Sequence, residues 1–152
     1  MTTPLSLHVR RCGPGGEVEF ELLLDVPSDL KYVGPAVELI AERCRHGALS
    51  PRRVEFNLRT ALAEALANAI AYGNRQDPSR VVHVRVEASR AWLRIHVTDD
   101  GAGFDPAVVP DPTLPGHLER EDGRGLFVLR SLVDHVTFNE KGNSVCLTLR
   151  AG

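Results

Sequence analysis

Cysteine is scarce in this chain and poorly placed for cross-linking or metal binding. Cys12, Cys44 and Cys146 lie far apart, are odd in number, and show no Cys-x-x-Cys spacing. They read as small hydrophobes or tolerated thiols, and a reducing, cytoplasmic setting is the expectation. Long apolar runs are missing too. None approaches the ~18 residues of a membrane span, and the N-terminal stretch has no signal-peptide core. Lysine is nearly absent: Lys31 and Lys141 stand against sixteen arginines, at a net charge of −2. No overall basic field draws such a chain to nucleic acid. There is no Gly-Lys-Ser/Thr phosphate loop and no His-Glu-x-x-His zinc motif, and the six histidines are scattered. Repeats, low-complexity tracts and dividing linkers are also lacking. Residues 1–152 are therefore expected to form a single domain, and 43% hydrophobic residues suffice for its core.

What is present alternates between strand and helix signals. Residues 5–10 alternate apolar and polar, Gly13-Pro14-Gly15-Gly16 must turn, and a second strand follows near 17–24. Residues 1–16 thus add a strand and turn ahead of the rest. Pro27-Ser28-Asp29 opens a helix with Ser28 or Asp29 as its N-cap, and Gly47 closes it. Ser50-Pro51 opens a longer helix, predicted to run to about Tyr72 and to stop at Gly73-Asn74. It would span roughly 33 Å. Strands are predicted at 81–87 and 92–97. A proline- and glycine-rich connection follows over 99–124, of a length typical of lids. A short helix from Gly125 to about Val133 and strands at 136–138 and 145–149 complete the chain. The order ββ-α-α-ββ-α-ββ predicts an α+β two-layer sandwich: a mixed, mostly antiparallel sheet with helices on one face.

Three motifs carry candidate chemistry. Asp99-Asp100-Gly101-Ala102-Gly103-Phe104 follows an apolar strand. A carboxylate at such a strand end accepts a hydrogen bond from the exocyclic amine of adenine and repels the matching carbonyl of guanine. Gly101 and Gly103 permit positive φ and close approach of a ligand. Taken alone, the segment is equally an acidic surface turn, with Asp100 its solvated member. On the long helix, Leu58, Leu62, Ala65, Leu66, Ala69 and Ile70 form the buried stripe. Glu64 and Asn68, one turn apart, share an adjoining face. An amide oxygen suits magnesium that is otherwise held by phosphates and water, and a carboxylate suits a general base. The helix by itself reads better as a solvated polar face. Gly123-Arg124-Gly125-Leu126 precedes a helix, where free N–H groups bind anions; a plain loop-to-helix turn is the alternative. Pro106 and Val128 occupy the third-glycine positions, which excludes a dinucleotide fingerprint.

Together the motifs resemble the nucleotide site of the GHKL ATPase superfamily. Glu64 through Asn74 resembles its N box, Asp99 through Phe104 its first glycine box, and Gly123 through Leu126 its second. The wording of residues 57–65 and 125–134 is similar to the bacterial anti-sigma-factor serine/threonine kinase family. That resemblance, over about residues 18–150, implies a Bergerat-type fold that binds ATP and Mg2+. It implies Glu64 as catalytic base, Asn68 as magnesium ligand and Asp99 as reader of the adenine amine. Gly101 and Gly103 would shape the base pocket, and Gly123, Arg124, Gly125 and Leu126 would border the triphosphate. Ser144 stands where relatives often carry a threonine near adenine, and Tyr72 where they often carry histidine. The implied partners are a sigma factor and an anti-sigma-factor antagonist that is phosphorylated on serine or threonine. A cytoplasmic homodimer with no direct nucleic-acid or membrane contact is also implied. The alternative is a non-catalytic ATP-binding module that sequesters its client. No phosphoacceptor helix precedes the motifs and no transducer follows them in this sequence, so neither a histidine kinase nor a gyrase-type motor is expected.

Overall fold

Alternation along the strands decides which side of the sheet is buried. Leu22, Leu24 and Val26 of β2 (Val18–Pro27) lie beneath the helices. So do Val82, Val84 and Val86 of β3 (Val81–Ser89) and Leu93, Ile95 and Val97 of β4 (Trp92–Thr98). Leu147 and Leu149 of β6 (Ser144–Arg150) complete this apolar face. The intervening residues, among them Asp25, His83 and Arg85, face solvent. The computed structural model describes residues 5–12, 15–101 and 121–152.

With β1 (Ser6–Arg11) and β5 (His135–Phe138), these strands form one sheet in the order β1-β2-β3-β4-β6-β5. The α+β sandwich expected from the element order is present. The sheet, anticipated as mixed and mostly antiparallel, has every neighbouring pair among the described residues antiparallel. Topology explains this. Two helices separate β2 from β3, so the chain crosses the sheet an even number of times and returns in the opposite sense. The N-terminal extension is the edge strand: Leu7 pairs with Leu24 and Val9 with Leu22.

The predicted long helix spans residues 51–73. Its centre, α2 (Arg59–Asn68), is flanked by wider π-helical turns at Arg53–Leu58 and Ala69–Gly73. Leu58, Leu62, Leu66 and Ile70 are fully buried against the sheet. Before it, α1 (Val33–Cys44) buries Ala36, Val37, Ile40 and Ala41. Asp29 is the cap at this entry, accepting from the Lys31 N–H at 3.0 Å ahead of a 3₁₀ turn, Leu30–Tyr32, that feeds α1. Ser28 is buried and does other work, described below. Cys44 behaves as a core hydrophobe, its thiol pushed up to about 12 by burial. The last helix, α3 (Glu121–Leu132), is already helical four residues before the predicted start at Gly125. Each glycine inside a helix costs about 1 kcal/mol, but packing of Gly125 on α2 favours helix through this stretch. Among the described residues, no helix is long and apolar enough to cross a membrane.

Asp134, between α3 and β5, ties the layers together. Its Oδ2 accepts from the Arg150 N–H at 2.7 Å and from Arg53 Nη2 at 3.1 Å, and Arg53 Nη1 donates to the Arg150 carbonyl at 2.6 Å. The Arg150 N–H and the Arg53 guanidinium hold this carboxyl below the ordinary aspartate range. A carboxylate depressed in this way stabilises the fold above its unfolded pKa, and the contribution is lost as pH falls through the folded one. Asp134→Ala should cost about 1 kcal/mol at neutral pH. Urea unfolding of both proteins at pH 7 and at about pH 3 should show the difference narrow in acid.

Candidate functional site

The site lies where the end of the long helix meets the end of β4. Asp99 follows β4, and its backbone is held from the neighbouring strand. The Asp99 N–H donates to the Asn143 carbonyl at 2.9 Å, and Asn143 Nδ2 donates back to the Asp99 carbonyl at 2.9 Å. From the helix side, Asn74 Oδ1 accepts from the Asp100 N–H at 2.7 Å. The Asp99 carboxylate is braced by its own loop, its Oδ1 accepting from the Gly101 N–H at 2.8 Å.

Two glycines make this closeness possible. A Cβ on Gly73 would fall on the Asp99 carboxylate. A Cβ on Gly101 would fall on the Gly73 carbonyl and 2.9 Å from Asp99 Oδ1. The last helical turn and the Asp99 loop therefore touch backbone to backbone.

Farther back on the same helix, Asn68 Nδ2 donates to Glu64 Oε1 at 3.3 Å, and both side chains are half-buried. Gly125 of α3 closes over this pair. A Cβ there would strike Asn68 Nδ2 and come within 2.6 Å of Glu64 Oε1. Gly123 and Arg124, read in the sequence as the turn before a helix, belong to the first turn of α3. Leu126, the next residue after Gly125, is buried. Five residues, roughly 7.5 Å of helix, separate Asn68 from Gly73. The chain thus brings Glu64, Asn68 and Gly125 together at one position and Asp99 and Gly101 at the next. Gly103, with the rest of 102–120, lies outside the described residues.

Ser144 is placed differently. Its Oγ pairs with Thr98 Oγ1 at 2.7 Å, and Thr98 alternates with the buried Val97, so both face away from the helices. The strand reaches Asp99 through the preceding residue, Asn143. Asp100, read as the solvated member, is exposed and also anchors the start of β3. Its Oδ2 accepts from the Val81 N–H at 3.1 Å, and its Oδ1 lies 3.5 Å from His83 Nε2. Gly73 and Asn74 are legible as the helix stop and as the end of the Glu64–Asn74 motif, and Asn143, after Lys141-Gly142, as part of a turn signal between the last two strands. Their one shared mark is that both asparagines follow a glycine.

Burial raises the Asp99 pKa above the ordinary aspartate value, and the Asp100 charge adds to the rise. The Gly101 N–H, Lys141 and Arg80 oppose it. Among the described residues no cluster of three His, Cys, Asp or Glu would hold a metal ion. Asn68 spends its Nδ2 on Glu64 and keeps Oδ1 as the hard oxygen with which it would meet a cation whose other ligands are phosphates and water. A groove of about 780 Å³ lies at the opposite end of the sheet, between the β1–β2 and β3–β4 turns. It contains none of these residues.

Residues 26–149 match the family model described as a histidine kinase-like ATPase domain. The chain belongs to that family, in the anti-sigma-factor kinase branch that its motifs resemble. It is similar to the serine-protein kinase RsbW of Oceanobacillus iheyensis, with 27% identity over 124 residues and 78% of each chain covered. Against the RsbW of Bacillus subtilis it is 26% identical over 132 residues, covering 82% of each. Against the anti-sigma F factor of Bacillus cytotoxicus it is 31% identical over 107 residues, covering 66% of this chain and 73% of the relative.

A carboxylate with a raised folded pKa favours the fold only in its protonated form. That contribution is present below the unfolded pKa and is lost as pH rises through the raised one. Asp99→Asn retains an acceptor for the Gly101 N–H. It should therefore melt above the parent at pH 7, with the gap closing as pH falls toward about 4. Thermal melts of the two proteins across this range check the assignment.

Proposed function

We propose that this chain is an ATP-dependent protein serine/threonine kinase of the anti-sigma-factor type, acting by partner switching. The observation that carries the reading is the Glu64–Asn68 pair, one helical turn apart under Gly125, with Asp99 held at the end of the same helix. The Asp99 carboxylate takes the adenine amine, with Gly101 and Gly103 shaping the base pocket. The N–H groups of Gly123 and Arg124 at the start of α3, with Gly125 and Leu126 beside them, border the triphosphate. Asn68 Oδ1 would hold Mg2+, which neutralises phosphate charge when bound.

In the transfer step a client hydroxyl oxygen bonds to the γ-phosphorus as its proton passes to Glu64. The bond from the γ-phosphorus to the β–γ bridging oxygen breaks, and ADP leaves. Relatives named serine-protein kinase and anti-sigma F factor support the two clients of the reading. One is an antagonist domain that receives the phosphate, and the other is a sigma factor that is held inactive. A cytoplasmic homodimer belongs to the same proposal.

Affinity capture from the native cell, with and without Mg-ATP, supplies the clients for a transfer assay. Glu64→Ala should bind ATP as the parent does and lose transfer roughly 10²- to 10⁴-fold. Asp99→Asn should weaken ATP binding itself, by roughly tenfold or more. Full transfer by Glu64→Ala removes the base from Glu64. ATP binding with no transfer to any captured client turns the reading into that of a non-catalytic sequestering module.

A further inference from the structure

The long helix ends in an unusual turn. After Gly73, Asn74 keeps a helical backbone, but Arg75 and Gln76 both take left-handed conformations, with φ of 52° and 55°. Residues with a Cβ pay a steric cost there, and two in succession persist only where the surroundings hold them. The turn satisfies the end of the helix. The Asn74 N–H donates to the Ala69 carbonyl and the Gln76 N–H to the Ile70 carbonyl, each at 2.8 Å.

It also drives the Asn74 side chain inward, where it is completely buried. Asn74 Nδ2 donates to Ser28 Oγ at 2.9 Å, and Ser28 Oγ donates to the Arg80 carbonyl at 2.7 Å. Asn74 Oδ1 accepts from the Asp100 N–H at 2.7 Å. Ser28 follows β2, Arg80 precedes β3 and Asp100 lies just beyond β4. One buried relay therefore links three strand ends to the helix end, and its last bond falls on the peptide that joins Asp99 to Asp100.

We infer that Asn74 is the positioning residue that aims the Asp99 carboxylate and so sets base specificity, a role that rests on Asp99 reading the base. Asp99 sits between two clamps. Asn143 holds its own N–H and carbonyl, and Asn74 holds the next N–H. Without the second clamp, the 99–100 peptide rotates about the first. The carboxylate then keeps its charge but loses its direction. Asn74 touches no ligand in this account and acts wholly through Asp99.

Base discrimination tests this, because a residue that merely stabilises the fold does not alter the ratio of two affinities. The measurement is the Kd for ATP and for inosine triphosphate, which carries a carbonyl in place of the amine. It is made on the full chain, on Asn74→Ala, on Asp99→Asn and on the double variant. The parent should prefer ATP. Each single variant should reduce that preference by about tenfold. The double variant should be no less selective than Asp99→Asn alone, because one substitution leaves the other nothing to act through. If Asn74→Ala does not fold, Asn74→Ser gives the same test, since its side chain is too short to reach the Asp100 N–H. An unchanged ratio in the folded Asn74 variant overturns the inference while leaving Asp99 as base reader. So does additive loss in the double variant. A parent without preference for ATP overturns the Asp99 reading, and the role of Asn74 falls with it.

Discussion

Contact between the last helical turn and the Asp99 loop is the constraint on which the rest of the site depends. Gly73 lies so close to the Asp99 carboxylate, and Gly101 to the Gly73 carbonyl, that neither position has room for a side chain. This contact fixes where the long helix points relative to β4. It also fixes the other half of the site, because Glu64 and Asn68 are carried on the same helix at a set rise from Gly73. The buried stripe of Leu58, Leu62, Leu66 and Ile70 presses that helix on the sheet and supplies the stability. The glycines then set how far it can slide.

The arrangement balances opposing costs. Asp99 is half-buried, and burial raises its pKa, so its surroundings disfavour the ionised carboxylate. Arg75 and Gln76, just past the helix end, occupy left-handed backbone. Hydrogen bonds that are individually modest offset this strain: two exchanged with Asn143, one to Asn74 Oδ1 and the buried Ser28–Asn74 link. Each is worth about 1 kcal/mol. Their effect on geometry exceeds their effect on stability, since together they hold one carboxylate from two sides. On the other half of the site, α3 packs a glycine on Glu64 and Asn68, so the helix that borders the site is seated on its polar pair.

Much of this was legible in the sequence. The period-two patterns of β2, β3 and β4 and the long apolar stripe of the central helix are local signals, and they place the two layers directly. Glu64 and Asn68 share a face because helical spacing demands it. The edges were less legible. α3 is already helical at Glu121 because packing on α2 outweighs the intrinsic cost of Gly123 and Gly125 in a helix. The π-helical turns at either end of α2 leave no local signal in the sequence. Ser144 was set beside the base by resemblance, yet the strand register turns it toward Thr98 on the open face. One position in register reverses the face of a strand residue, and register depends on the partner strand.

The sequence by itself determined the element order, the amphipathic faces and the residue types available for chemistry, because these are set by covalent spacing and side-chain character. The tertiary structure decided which of them meet. Gly73-Asn74 and Gly142-Asn143 look alike as turn signals, yet one asparagine braces the Asp100 N–H and the other the Asp99 backbone, across 26 and 44 residues of chain. Such contacts close only when the helix end and two strand ends converge. The physical reason is that hydrogen bonds have short reach, so distant partners are fixed by packing rather than by their own positions in the chain.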